Sequence, residues 1–195
     1  MARKKPPGEL VETTVTYLEM RSSPRRPATP APLGKLAIMR SEQPTVSFYR
    51  YLYNTIGEPW NWSDRRRLDD DELRAIIHDP KVEIYVLYAA GVPAGYVEID
   101  LRRAGEAEIA YFGLAPEYIG RGLGVFLLDW AIAAAWTHQP KRVWVHTCTL
   151  DHPRALPLYQ RAGFVPYERR TEKVEKLVTL KLTPPSAQPS DGESG

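Results

Sequence analysis

Residues 114–128 read Leu-Ala-Pro-Glu-Tyr-Ile-Gly-Arg-Gly-Leu-Gly-Val-Phe-Leu-Leu. A strand pattern over residues 106–114 ends where this stretch begins, and a strongly apolar helical pattern over residues 121–137 starts inside it. Between them Gly120, Gly122 and Gly124 fill three of five positions. Glycine is costly near a helix start unless the backbone must take a positive φ or approach a ligand closely. The first N–H groups of a helix lack intrahelical partners, and the macrodipole is positive there. A glycine-dense turn that opens a helix therefore suits an anion, above all a phosphate, and Arg121 adds positive charge.

Two common phosphate loops fit this stretch badly. A P-loop needs Gly-Lys-Ser/Thr, which is missing here. A dinucleotide fingerprint needs Gly-x-Gly-x-x-Gly after the first strand of a βαβ unit, whereas this loop follows a run of hairpins.

Outward from the loop, the patterns alternate in type. Toward the N-terminus, residues 82–89, 94–101 and 106–114 read as three strands joined by short turns, an antiparallel meander. Before them, residues 44–55 and 69–78 have helical spacing. The first begins at Pro44, and Asp69, Asp70 and Asp71 favour the start of the second. Trp60-Asn61-Trp62 lies in the loop between these helices, marked by Gly57 and Pro59. Residues 35–40 form a short strand candidate and residues 13–20 another. Pro24, Pro27, Pro30 and Pro32 make the intervening segment an irregular linker. Toward the C-terminus follow a strand at 142–148, a short helix at 153–162 closed by Gly163, and strands at 164–167 and 175–182. Pro157 inside that short helix is expected to make an irregular turn. This order predicts an α/β (α+β) domain: a mixed, mostly antiparallel sheet with helices on both faces, in three layers.

The bulk properties narrow the class. The chain has 195 residues, 43% of them apolar, enough to bury one full core. A net charge of +2 argues against a nucleic-acid partner, since the basic residues Arg3, Lys4, Lys5, Arg25 and Arg26 make only a short arm. A single cysteine, Cys148, excludes an intramolecular disulfide framework and is compatible with a reducing, cytoplasmic setting. No apolar run approaches the roughly 20 residues of a membrane span, and no apolar segment follows the basic N-terminus as a secretory signal requires. His146, Cys148, Asp151 and His152 match no trusted zinc spacing, so no metal is expected.

Two segments together resemble the GNAT N-acetyltransferase family. Ile119-Gly120-Arg121-Gly122-Leu123-Gly124, preceded by Pro116-Glu-Tyr, is similar to the family's Arg/Gln-x-x-Gly-x-Gly/Ala loop. His152-Pro-Arg-Ala155-Leu-Pro-Leu158-Tyr159-Gln-Arg-Ala-Gly163-Phe164 is similar to its Asn-x-x-Ala-x-x-Leu-Tyr-x-x-x-Gly-Phe segment. One glycine-rich loop is a weak signal; the two in the right order, with a helix and a strand between them, are a strong one. The sequence departs from the pattern at Ile119, where Arg or Gln is usual, and at His152, where Asn is usual.

The resemblance implies a GNAT domain over residues 34–183, after an N-terminal arm (1–33) with an extra strand and the Pro-rich linker, and before a disordered tail (184–195). It implies acetyl-CoA as cosubstrate, with the backbone of Phe112, Gly113 and Leu114 pairing its pantetheine arm and the amides of Gly120–Gly124 holding its pyrophosphate. The reaction would be direct attack of a primary amine, on a small molecule or a protein, upon the thioester. The leaving thiolate needs a proton, and Tyr159 stands at the family position for that donor. A phenol with a pKa of about 10 keeps its proton at neutral pH. The attacking amine must be neutral. Glu108, eleven residues before Ile119, is the favoured base, with Glu98, Asp100 and His146 as rivals. The aromatic residues Phe48, Tyr49, Tyr51, Tyr53, Trp60 and Trp62 either pack on the sheet or wall an acceptor site. Arg65-Arg66-Arg67 reads most simply as a solvated surface. The alternative function is a GNAT-fold module that binds acyl-CoA without turnover. Either a monomer or a homodimer agrees with the sequence.

Overall fold

The computed structural model of the protein describes residues 9–176, apart from residues 26 and 28. Of the basic arm, Arg3, Lys4, Lys5 and Arg26 fall outside the described residues, as does most of the strand read at 175–182 and all of the tail. The elements run β1 (Leu10–Met20), β2 (Leu36–Arg40), α1 (Val46–Gly57), a 3-10 turn (Glu58–Trp60), α2 (Asp64–Arg67), α3 (Asp70–Ile77), β3 (Val82–Ala89), β4 (Val92–Asp100), β5 (Glu106–Leu114), a 3-10 turn (Pro116–Tyr118), α4 (Leu123–Thr137), β6 (Arg142–Cys148), α5 (Ala155–Ala162) and β7 (Val165–Glu175). The strands form one sheet in the order β2-β3-β4-β5-β6-β1-β7. Every neighbouring pair is antiparallel except β5 and β6.

Local chemistry sets the helix starts. Thr45 caps α1, its hydroxyl accepting from the Phe48 amide at 3.3 Å. Asp69 and Glu72 make a reciprocal capping box at α3. The helix closing on Gly163 begins at Ala155, two residues later than its sequence suggests. Pro157 therefore sits in the first turn, where its missing N–H leaves no bond unmade, and the expected irregular turn does not form. Gly163 ends that helix with φ of 106°.

Two cores clamp the sheet. On one face α4 buries Leu127, Leu128, Ala131 and Ile132 against Leu18, Val97, Ile109, Val143 and Val145. On the other, α1 and α3 bury Tyr49, Leu52, Tyr53, Leu73 and Ile77 against Ile84, Val86 and Tyr96. Each such aliphatic side chain contributes about 1.5–3 kcal/mol when fully buried.

Two features of the sheet differ from the sequence reading. The strand assigned to the N-terminal arm lies between β6 and β7, paired along both edges. The strand the sequence placed at 164–167 runs on from Val165 to Glu175, through residues read as a connection. That stretch carries Glu168, Arg169, Arg170, Glu172 and Lys173, and charged side chains are what the outermost strand of a sheet tolerates.

Candidate active site

The site arises where the parallel pair comes apart. β5 and β6 are in register only at Glu106↔Arg142, Ala107↔Val143 and Glu108↔Trp144, although the strands run on to Leu114 and Cys148. Past Glu108 each is held by its other neighbour: β5 stays paired with β4 up to Leu114, and β6 with β1 up to Cys148. A bulge at the divergence adds to it. Glu98 faces Tyr111 while Ile99 faces Ile109, leaving Ala110 as the extra residue that bends β5. The gap is a cleft of about 500 Å³.

One end of the cleft is the glycine loop. Phe112, Gly113, Leu114, Ile119, Gly120, Gly122 and Gly124 all line it. Gly120 and Gly122 have φ of 85° and 78°, the left-handed region, and Gly122 is the N-cap of α4 with no side chain capping the first turn. A Cβ on Gly113 would lie 2.5 Å from Ile56 Cγ2, so only glycine fits there. The β6-facing edge of β5 is unpaired from Ile109 to Leu114 and opens on the cleft. That edge is suited to an extended amide-bearing chain, and the uncapped first turn of α4 to an anion. Two residues of the loop stay out of the cleft: Leu123 is buried in the α4 core, and Arg121 is exposed with its guanidinium 5.3 Å from the Tyr118 ring centroid.

Tyr159 stands beside this end. It is 5% exposed, lines the cleft, and packs edge-on against Phe112 and Phe164. Its hydroxyl has no hydrogen-bond partner among the described residues. Burial, then the charge of Asp151, push its pKa well above that of a free phenol. The group holds its proton throughout the neutral range.

The carboxylates considered from sequence go to different places. Glu98 is fully buried, accepting from the Tyr49 hydroxyl at 2.5 Å and from Arg65 at 2.6 Å. Asp100 is gripped by Arg102 at 2.5 Å. Glu108 lies at the divergence point, its carboxylate 3.4 Å from His146 Nδ1, and it is His146 that lines the cleft. Partial burial opposes protonation of His146, but Glu108 outweighs it, and the imidazole pKa rises above 6.5.

The other end of the cleft is aromatic. Tyr53, Trp60, Trp62, Tyr111 and Tyr17 line it, with Ser63 and Asp64 at the start of α2. Trp62 lies flat over Gly57, where a Cβ would be 2.3 Å from its ring, and its indole N–H donates to Asp151 at 3.3 Å. Asp151 also accepts from the Thr147 hydroxyl and the Cys148 amide, and so ties this loop to the end of β6. Arg65 is not a solvated residue. Its side chain is only 12% exposed, paired with Glu98 and stacked 5.1 Å from the Tyr111 centroid, which pins α2 to the sheet. The sequence brought up Asp151 only as a member of a rejected metal cluster; its place beyond β6, opposite an indole, is a tertiary fact. Burial and Asp151 raise the Cys148 thiol pKa, so it stays protonated. Among the described residues no group of three or more His, Cys, Asp and Glu side chains is arranged for a metal, and no helix is long and apolar enough to cross a membrane.

Diverging parallel strands, an uncapped glycine-rich helix start and a buried phenol thus meet in one cleft. The chain belongs to the acetyltransferase (GNAT) family, whose model matches residues 45–164. No curated protein matches it. Among solved structures it is similar to a conserved protein of unknown function from Staphylococcus epidermidis, at 16% identity and a TM-score of 0.56, over 87% of this chain and 64% of that one. It is also similar to a GCN5-related N-acetyltransferase from Sphaerobacter thermophilus, at 16% identity and a TM-score of 0.56, over 88% of this chain and 54% of that one. A third is an aminoglycoside acetyltransferase from an uncultured soil sample, in complex with trehalose, at 19% identity and a TM-score of 0.54, over 75% and 97%. The chain spans less than two thirds of the length of the first two. At these identities the likeness is one of fold.

Proposed function

We propose that the protein transfers an acetyl group from acetyl-CoA to a primary amine by direct attack on the thioester. The observation that carries this reading is the splay between β5 and β6, with the glycine loop at one end, Tyr159 beside it and His146 on the opposite wall. Bound acetyl-CoA supplies an activated acyl group. In this reading the unpaired edge of Phe112–Leu114 aligns the pantetheine arm, and the amides from Gly120 to Gly124 neutralise the diphosphate. Tyr159 delivers its proton to the departing sulfur. The buried surroundings favour that transfer, because a free thiolate is costly in apolar space.

For the amine, we assign the proton acceptor to His146, oriented by Glu108, rather than to Glu108 alone. His146 is the member of the pair that lines the cleft, and a cleft-facing imidazole with a pKa above 6.5 is matched to taking a proton near neutrality. Glu98 and Asp100 are each held by an arginine, and neither lines the cleft. Acceptors of either kind, a small molecule or a peptide amine, fit a cleft open at the aromatic end.

Titration calorimetry with acetyl-CoA, followed by a thiol-release assay over amines and peptides, tests the reading. We expect saturable binding and acceptor-dependent release of coenzyme A. Absence of any coenzyme binding by folded protein would end the enzyme assignment; binding without release against every amine would leave the non-catalytic acyl-CoA module.

A further inference from the structure

The chain from β1 to β2 must cross most of the sheet. β1 lies between β6 and β7, while β2 is the opposite edge, so residues 21–35 have to pass β6, β5, β4 and β3. Thr29 shows which face they take: its hydroxyl donates to the Asp129 carboxylate, on α4. Three residues on, Pro32 reaches the glycine loop. A Cβ on Gly122 would stand 3.8 Å from Pro32 Cγ, and apart from its neighbours in the chain no other described atom comes within 4 Å of that point. The two contacts agree in geometry. Gly122 and Asp129 are nearly two full turns apart, so they fall on one stripe of α4 with about 10 Å between them. Thr29 to Pro32 spans about 9–10 Å in an extended chain, the form that Pro30 and Pro32 favour. The segment therefore runs straight along that stripe toward the start of the helix.

The loop it meets has little else to hold it. Gly120 and Gly122 take positive φ, no side chain caps the first turn of α4, and the place of a Cβ on Gly120 is open. Leu114 backs Gly124 from below, at 3.7 Å from its Cβ position. At Gly122 the restraint is Pro32. Glycine has the most backbone freedom to lose, and a loop already held in its binding conformation loses less when a ligand arrives. Proline rings fix their own φ, so Pro32 cannot move far without pulling on Thr29. Neither Thr29 nor Pro32 lines the cleft, so both act through the loop and not on the ligand. The match to the family model begins at residue 45, which leaves this segment outside it.

We propose that residues 29–32 are a strap that holds the glycine loop ready for the diphosphate of acetyl-CoA, with Thr29 and Pro32 as positioning residues. This rests on the proposed acetyl-CoA reading of the loop. The strap touches neither Tyr159 nor His146, so its effect falls on coenzyme affinity and leaves proton transfer alone.

The test uses the full chain carrying Thr29→Val and Pro32→Gly, which remove the hydroxyl donor and the ring. Calorimetry reads acetyl-CoA affinity, and hydrogen exchange reads residues 119–126 with and without the coenzyme. Affinity should fall about three- to tenfold, the scale of one lost hydrogen bond. Exchange at 119–126 should quicken in the free protein, stay at the parent rate in β3 and β4, and return to the parent rate at saturating acetyl-CoA. Thr29→Ser keeps a donor and should retain the parent affinity. Pro32→Gly alone carries the same test if the pair fails to fold. Parent-like affinity, parent-like exchange, or a quickening spread equally over β3 and β4 would overturn the inference, while acetyl-CoA binding by the parent left the enzyme reading standing. A folded parent that binds no acetyl-CoA would remove both.

Discussion

At the loop end of the cleft the working surface is main chain, while at the aromatic end it is side chain. The loop end depends on what glycine permits: positive φ at Gly120 and Gly122, and close approach at Gly113, where no Cβ fits. The arginine of the glycine run, Arg121, lies on the Tyr118 ring outside the cleft. The aromatic end depends on a chain of side-chain contacts, from Glu98 through Arg65 to α2, and from Asp151 through Trp62 to the loop before it. A backbone site is set by local conformation, so it tolerates side-chain change wherever the main chain is kept. A side-chain site needs every link in place.

The sharpest way to break this comparison lies where the ends meet. Tyr159→Phe removes a hydroxyl with no hydrogen-bond partner among the described residues, so its melting temperature and acetyl-CoA affinity should match the parent, while kcat falls about 10²–10⁴-fold if the phenol is the proton donor. Unchanged turnover, read by thiol release, would strip Tyr159 of that role. The next effect belongs to the aromatic end. Arg65→Ala leaves Glu98 charged and buried, and should cost about 3–5 kcal/mol in denaturant unfolding, the usual result of orphaning one partner of a buried pair. An exposed arginine would cost less than about 0.5 kcal/mol, so the measurement distinguishes the two readings of this run of arginines.

At the loop end, Gly122→Asp introduces both a side chain at a left-handed position and a negative charge at the start of α4. Acetyl-CoA binding should weaken about tenfold or more, because strain and repulsion each contribute roughly 1 kcal/mol. Arg121→Ala, one residue away, should change binding by less than about 1 kcal/mol, the scale of an exposed charge. Calorimetry on the pair tells whether the loop acts through its main chain. A reversed ranking would mean that it acts through the arginine.

The smallest effect is a shift in pH dependence. His146 must be neutral to accept a proton, so kcat/KM should rise with pH through a pKa above 6.5. Glu108→Gln removes the charge that raises this pKa, and the limb should move to lower pH with only a few-fold change in the plateau. A limb that stays in place would mean that another group titrates. The linked effect on stability has the opposite sense. A raised histidine pKa stabilises the fold at pH values below 6.5, and the contribution disappears as pH climbs through the folded-state pKa.

The residues differ in how far their roles were legible along the chain. Periodicity located α4 and the β3–β5 meander, because 3.6-residue and two-residue repeats are local signals. Three glycines ahead of an apolar helix pointed to a turn that does use positive φ at Gly120 and Gly122, and the motif around Tyr159 singled out a residue that lines the cleft. Arg65 was misjudged because three successive arginines look alike until one of them meets Glu98 across α1. His146 and Glu108 were weighed as rivals; their proximity depends on β5 and β6 pairing for three residues before parting.

The sequence by itself therefore determined the conformations that neighbours along the chain can impose: the helix starts, the strand alternation, the glycine turn. Tertiary structure alone decided which edge of the sheet is left open, that β1 holds β6 away from β5, and which carboxylates meet an arginine and which face the cleft. The physical reason is range. Backbone preference acts over a few residues, whereas a cleft and its field are made by groups far apart in the chain, whose distances exist only once the sheet has closed around them.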